Sequence, residues 1–114
     1  DAVILDDACC DPLYRKAIRV SVCGVFQVPH YRVDLLDTFR AHGLTPYALS
    51  PSGTHRLDEV VPAERSAFLF GAEGPGLSRD LMAACETVRI DMHGGFDSLN
   101  VATTSGIVLY HMCR

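Results

Sequence analysis

Two short stretches carry the residue types and spacings that chemistry needs. "FLFGAEGPGLSRD" (residues 68–80) runs an apolar segment into three glycines and a helix start, and "DMHGGFDSLN" (residues 91–100) places a glycine pair ahead of Ser98, Leu99 and Asn100. A glycine-rich turn of the first kind often cradles phosphate, which requires converging backbone N–H groups and no negative side chain among them. Here Glu73 sits between the first two glycines and Pro75 has no N–H to give. The order G-A-E-G-P-G also fails the G-x-G-x-x-G spacing and lacks the Lys-Ser/Thr of a P-loop. A carboxylate in the middle of the loop suits a neutral or cationic guest.

The other chemistry-bearing residues are weaker signals. Ser98 and Asn100 stand in the first turn of the last helical segment, where they can orient groups, although neither is a good base. Asparagine competes with helical backbone bonding, so Asn100 at that position favours a functional use. His93 in "MHGG" reads as an exposed loop histidine. Cys9 and Cys10 beside Asp11 have no matching His/Cys set at ligand spacing, so no metal site is expected. Arg15, Lys16 and Arg19 form a basic cluster on one helix, which serves equally as a solvated face or as an RNA phosphate contact.

Positioning these residues requires a scaffold, and the pattern supplies one. Short apolar, β-branched runs alternate with helical periodicity, the signature of an α/β fold with a mostly parallel sheet and flanking helices. Strands are expected over residues 2–5, 24–28, 47–49, 67–70 and 87–90. Between the first two, Asp11 and Pro12 are expected to start a helix as N-cap and first helical residue. A second helix carries Leu35, Leu36 and Phe39 on one face and stops at Gly43. A third is capped by Ser78 with Leu81, Met82 and Cys85 turned inward, and a fourth carries Leu99, Ala102, Ile107 and Val108. Residues 50–65 are polar and Pro-interrupted and read as a connection, while Tyr31, Phe39, Phe68 and Phe70 read as core. In such sheets ligands bind outside the carboxyl ends of the strands, and both glycine-rich loops leave such ends, after the fourth and fifth expected strands.

With 114 residues, 48% of them hydrophobic and 21% charged, the chain is long and apolar enough for one domain with a real core. No apolar run approaches the roughly 18 to 20 residues of a membrane helix, so no membrane partner is expected. The five cysteines form no C-x-x-C pair and read as reduced thiols in a cytoplasm. A formal net charge of −4 argues against a chain that binds nucleic acid by bulk attraction and leaves that task to a local patch.

Taken together, "FLFGAEGPGLS" and "IDMHGGFDSLNVATTSGIVLY" resemble, in order and spacing, the second and third motifs of the SpoU, or TrmH-type, branch of the SPOUT methyltransferases. "DPLYRKAIRVS" is similar to the segment following that family's first motif. The family transfers a methyl group from S-adenosylmethionine to a ribose 2′-hydroxyl of RNA. The resemblance implies a trefoil knot in the C-terminal part of the sheet, an exception to the rule that chains do not thread loops. It also implies an obligate homodimer, S-adenosylmethionine as cofactor, and tRNA or rRNA, with no DNA, as the partner. Gly71, Ile90, Met92 and Leu99 would line the cofactor pocket, while Glu73, Ser98 and Asn100 match polar residues near the transfer site. The family's first motif, with an arginine that helps activate the ribose hydroxyl, would precede Asp1, so residues 1–114 alone are expected to bind cofactor and transfer weakly. Two departures stand out: Asp91 occupies the position of a usual proline, and "SVCG" puts Cys23 where glycine is usual. A Rossmann-like nucleotide-binding enzyme and a non-catalytic RNA-binding or dimerisation module of the same fold are the alternative readings.

Overall fold

A computed structural model describes residues 1–96 and 99–113. The chain divides into two compact units, Asp1–Thr38 and Phe39–Arg114.

In the first unit, β1 (Val3–Leu5) pairs in parallel with β2 (His30–Arg32), with Val3 opposite His30 and Leu5 opposite Arg32. The intervening helix, α1 (Arg15–Val20), starts one turn later than Asp11 and Pro12 suggest. The Asp11 carboxylate instead accepts from the Leu13 N–H at 2.8 Å, so Asp11 and Pro12 close a separate turn ahead of the helix. Residues 24–28, expected as a strand, form a short 3-10 turn over Gly24–Phe26. The cause lies in the backbone: Val22 and Cys23 take left-handed conformations, at φ 50° and 62°. The N–H groups of Phe26, Gln27 and Val28 then bond to the carbonyls of Cys23 and Gly24, leaving no ladder donors for a sheet. Pairing therefore begins at β2, which also takes Tyr31 from its expected place in the core; its side chain is 56% exposed. Asp34 starts α2 (Leu35–His42), its carboxylate accepting from the Asp37 N–H at 2.9 Å, and Gly43 at φ +60° ends it, as the sequence pattern requires.

The second unit holds a four-stranded sheet built from β3 (Thr45–Leu49), β4 (His55–Arg56), β5 (Ser66–Leu69) and β6 (Glu86–Arg89) in the order β4-β6-β3-β5. All three pairings are parallel. β4 falls inside the segment expected as a connection; it is a two-residue edge strand, exposed throughout. Ser78 caps α3 (Arg79–Ala83), accepting from the Leu81 N–H. The last helix, α4 (Val101–Met112), is capped by Asn100, whose Oδ1 accepts from the N–H groups of Ala102 and Thr103 at 2.9 and 3.3 Å. Of the residues expected along this helix, Leu99 precedes its first residue, Val108 is fully buried, and Ala102 and Ile107 are exposed. The core joins Tyr47, Leu57, Val88, Val108 and Met112, with Phe68, Phe70 and Ile90 packed against it. Tyr47 and Phe68 stack at 5.8 Å between ring centroids, and the buried Tyr47 hydroxyl accepts from the Ala63 N–H.

Candidate functional site

The sheet order decides where the two glycine-rich loops end up. Because β3 lies between β5 and β6, the carboxyl ends of these three strands are adjacent, and so are the segments that leave them. After β5, residues 71–76 fold back on themselves: the Gly76 N–H donates to the Ala72 carbonyl at 3.0 Å. A Cβ at Gly71 would stand 2.5 Å from the Gly76 carbonyl carbon, so only glycine allows this closure. After β6, the chain passes Ile90 and Met92, turns at Gly94 and Gly95, both at φ +76°, and reaches Leu99 and the helix start at Asn100.

These segments enclose one cavity of about 460 Å³ in the second unit. Gly71, Glu73, Ile90, Met92, Leu99 and Asn100 all line it, so six of the seven residues expected there from sequence are brought together; the seventh, Ser98, lies outside the described residues. Sequence reading missed the third wall, formed by Leu49, Ser50 and Pro51 at the end of β3. The signal was present, since "SPSG" follows an apolar strand just as the two recognised loops do. Phe70 and Val101 add further apolar surface, and Thr104 lines the cavity from the second turn of α4. Among the described residues the lining contains one charged side chain, Glu73, and no lysine or arginine. Such a pocket takes a flat, largely apolar guest carrying positive charge, since like charges repel and opposite ones attract over a few ångströms.

Asn100 serves the helix and the cavity together, its Oδ1 being engaged with two backbone N–H groups while the residue lines the pocket. Outside the cavity, the end of β6 carries an ion-pair network. Arg89 Nε donates to Asp91 Oδ1 at 2.8 Å, and Arg56 Nε stands 3.3 Å from Asp91 Oδ2. Arg56 also makes a two-pronged pair with Asp58 at 3.0 and 2.7 Å, and this hydrogen bonding holds the Asp58 carboxyl below its usual range. His93 is exposed and lines a second cavity beside this network. In the first unit, Arg15, Lys16 and Arg19 are exposed on α1, with Arg15 and Arg19 one helical turn apart on a shared face. Among the described residues no group of three or more His, Cys, Asp or Glu is placed to hold a metal ion, and no helix is long and apolar enough to cross a membrane.

Residues 1–110 match the SpoU rRNA Methylase family. The chain belongs to that family. The SpoU chain is 41% identical over its whole length to an uncharacterized tRNA/rRNA methyltransferase of Mycobacterium tuberculosis, of which it covers 43%. It is 28% identical over 98% of its length to the Bacillus subtilis 23S rRNA guanosine 2′-O-methyltransferase RlmP, covering 47% of that protein. Among solved structures, the SpoU methyltransferase AviRb of Streptomyces viridochromogenes, crystallised in complex with AdoMet, matches with a TM-score of 0.88 and 25% identity, over 96% of this chain and 45% of that one. The SpoU chain thus spans about half the length of the curated relatives it matches.

Proposed function

We propose that the chain forms the cofactor-binding part of an S-adenosylmethionine-dependent methyltransferase acting on a ribose 2′-hydroxyl of tRNA or rRNA. The observation that carries this reading is the convergence of the loops after β3, β5 and β6 on one cavity whose sole charged lining residue, among the described residues, is Glu73. The residues fit the cofactor. Ile90, Met92 and Leu99 offer apolar surface for an adenine face, Gly71 and its loop offer backbone without an intervening Cβ, and the Glu73 carboxylate favours a sulfonium where it would repel a phosphate. The cavity lies within the range of about 300 to 1,000 Å³ typical of small-molecule sites.

The bound cofactor supplies an activated methyl group. What the chain's own residues contribute is position: the tight loop at residues 71–76 holds Glu73, and the capped start of α4 holds Asn100 in the same lining. We assign the same task to Ser98, which matches a polar residue near the family's transfer site. Methyl transfer to a hydroxyl depends on alignment and on removal of one proton, and neither Ser98 nor Asn100 is basic enough to hold that proton at neutral pH. Orientation is therefore their role. Arg15, Lys16 and Arg19 supply cationic contacts for RNA phosphates. The protein acts as a homodimer in the cytoplasm.

The test is calorimetry with S-adenosylmethionine and with NAD, followed by transfer of tritiated methyl groups to tRNA and rRNA by the full-length protein. Binding of S-adenosylmethionine alone, with label in the ribose, is the expected result. Heat with NAD only would establish the dinucleotide-binding alternative. Cofactor binding without transfer would establish the non-catalytic module.

A further inference from the structure

We infer that Asp91 is a positioning residue for the cofactor pocket, tying the loop after β6 to the two segments beside it by charge. This rests on the cofactor reading above. Ile90 and Met92 both line the cavity, and Asp91 between them does not; its carboxylate faces the ion-pair network instead. Side chains along an extended segment alternate in direction, so a hold on Asp91 fixes the aim of both neighbours.

The hold is double. Asp91 Oδ1 accepts from Arg89 Nε at 2.8 Å, and Oδ2 lies 3.3 Å from Arg56 Nε on the neighbouring strand β4. Arg89 in turn donates through Nη1 to the carbonyls of Gly53 and Thr54, at 2.9 and 3.0 Å. That turn begins with Ser50 and Pro51, which form the β3 wall of the cavity. It is pressed against β6 so closely that a Cβ on Gly53 would meet the Val88 carbonyl carbon at 2.4 Å. The carboxylate thus joins the β6 loop to β4 directly, and through Arg89 it reaches the turn that carries the β3 wall. Proline, usual at this position in the resembling family, stiffens a loop through its ring, which salt does not affect. An ion pair that is half exposed, as Asp91 is, weakens as salt rises.

The experiment is a double-mutant cycle, D91N, R56Q and the two combined, read by calorimetric affinity for S-adenosylmethionine and by amide hydrogen exchange. Exchange reports loop order independently of the cofactor. E86Q, which removes an exposed pair with His55 on the same sheet, is the control and leaves affinity unchanged. D91N is expected to weaken binding about threefold to fivefold at low salt, the scale of a networked surface pair. The double variant loses no more than D91N alone, the difference from wild type closes in about 0.5 M salt, and exchange quickens at residues 90–92 while β3 and β5 keep their protection. Wild-type affinity in D91N, additive losses in the cycle, or uniformly faster exchange across the sheet would each overturn the assignment while leaving the cofactor reading intact. Failure of the wild-type chain to bind S-adenosylmethionine overturns both.

Discussion

Replacing Cys23 by glycine should stabilise the protein, although it removes a side chain and adds no contact. Cys23 sits at φ 62°, ψ 9°, in the left-handed region, where a residue with a Cβ costs about 1–2 kcal/mol relative to its right-handed form. Glycine avoids that cost but adds freedom to the unfolded chain worth about 0.4–1 kcal/mol. The net gain therefore falls between about 0 and 1.6 kcal/mol, with a midpoint of about 0.8 kcal/mol. Little offsets it, because the Cys23 side chain is exposed. The backbone bonds of residue 23, from its N–H to the Ile18 carbonyl and from the Phe26 N–H to its own carbonyl, both at 3.1 Å, do not involve the side chain. Thermal unfolding followed by circular dichroism should show C23G melting about 2–6 °C above wild type for a chain of this size. C23A keeps the Cβ and should not show the gain. A C23G protein no more stable than C23A would refute the reasoning, since the strain would then be absent or absorbed elsewhere.

Further outcomes follow from the same geometry. G71A should abolish measurable cofactor binding and lower stability by about 1–3 kcal/mol in urea titrations, because the new methyl has backbone rather than a movable side chain in its way. N100A should lose about 0.5–2 kcal/mol by removing the α4 cap, whereas N100D keeps the cap; lost methyl transfer in N100D at unchanged melting temperature would separate the site role from the helix role. E73Q should weaken S-adenosylmethionine about threefold to fivefold in calorimetry, the scale of one charge pair in a solvated site, and leave S-adenosylhomocysteine, which lacks the sulfonium charge, unchanged. Asp58 has a depressed folded-state value, so its contribution is complete above the unfolded carboxyl value of about 3.9 and disappears as pH falls through the lower folded one. Acid titrations of stability should therefore be steeper for wild type than for D58N in that window.

How much of this was legible in the residues depends on what kind of signal each feature leaves. The glycine-rich loops were legible because Gly71 and the Gly94-Gly95 pair mark places where backbone must pass backbone or turn left-handed, and only one residue type does both cheaply. That β3 would lie between their strands was not, since strand order is set by long-range pairing. The edge strand at His55 and Arg56 was invisible because it is two residues long and polar on both faces, with none of the alternation that marks a half-buried strand. Residues 24–28 misled in the opposite sense: Val25, Phe26 and Val28 favour strands, but the left-handed turn at Val22 and Cys23 consumes their backbone bonds locally, and neither residue type announces such a turn. The start of α4 was set too early: the residue pattern puts Asn100 inside the first turn, where asparagine is poor, whereas the structure makes it the cap that accepts from Ala102 and Thr103, where asparagine is favoured.

The interposed position of β3 has a dimensional consequence. Hydrogen-bonded neighbours in a sheet are about 4.8 Å apart, so the roots of the loops after β5 and β6 are separated by two such steps, about 10 Å. That gauge is set by the main chain alone, and no side-chain exchange inside the cleft can widen or narrow its jaws. Mutation can retune which groups a guest meets along the floor at Ser50 and Pro51, but the breadth of guest admitted is inherited from the topology.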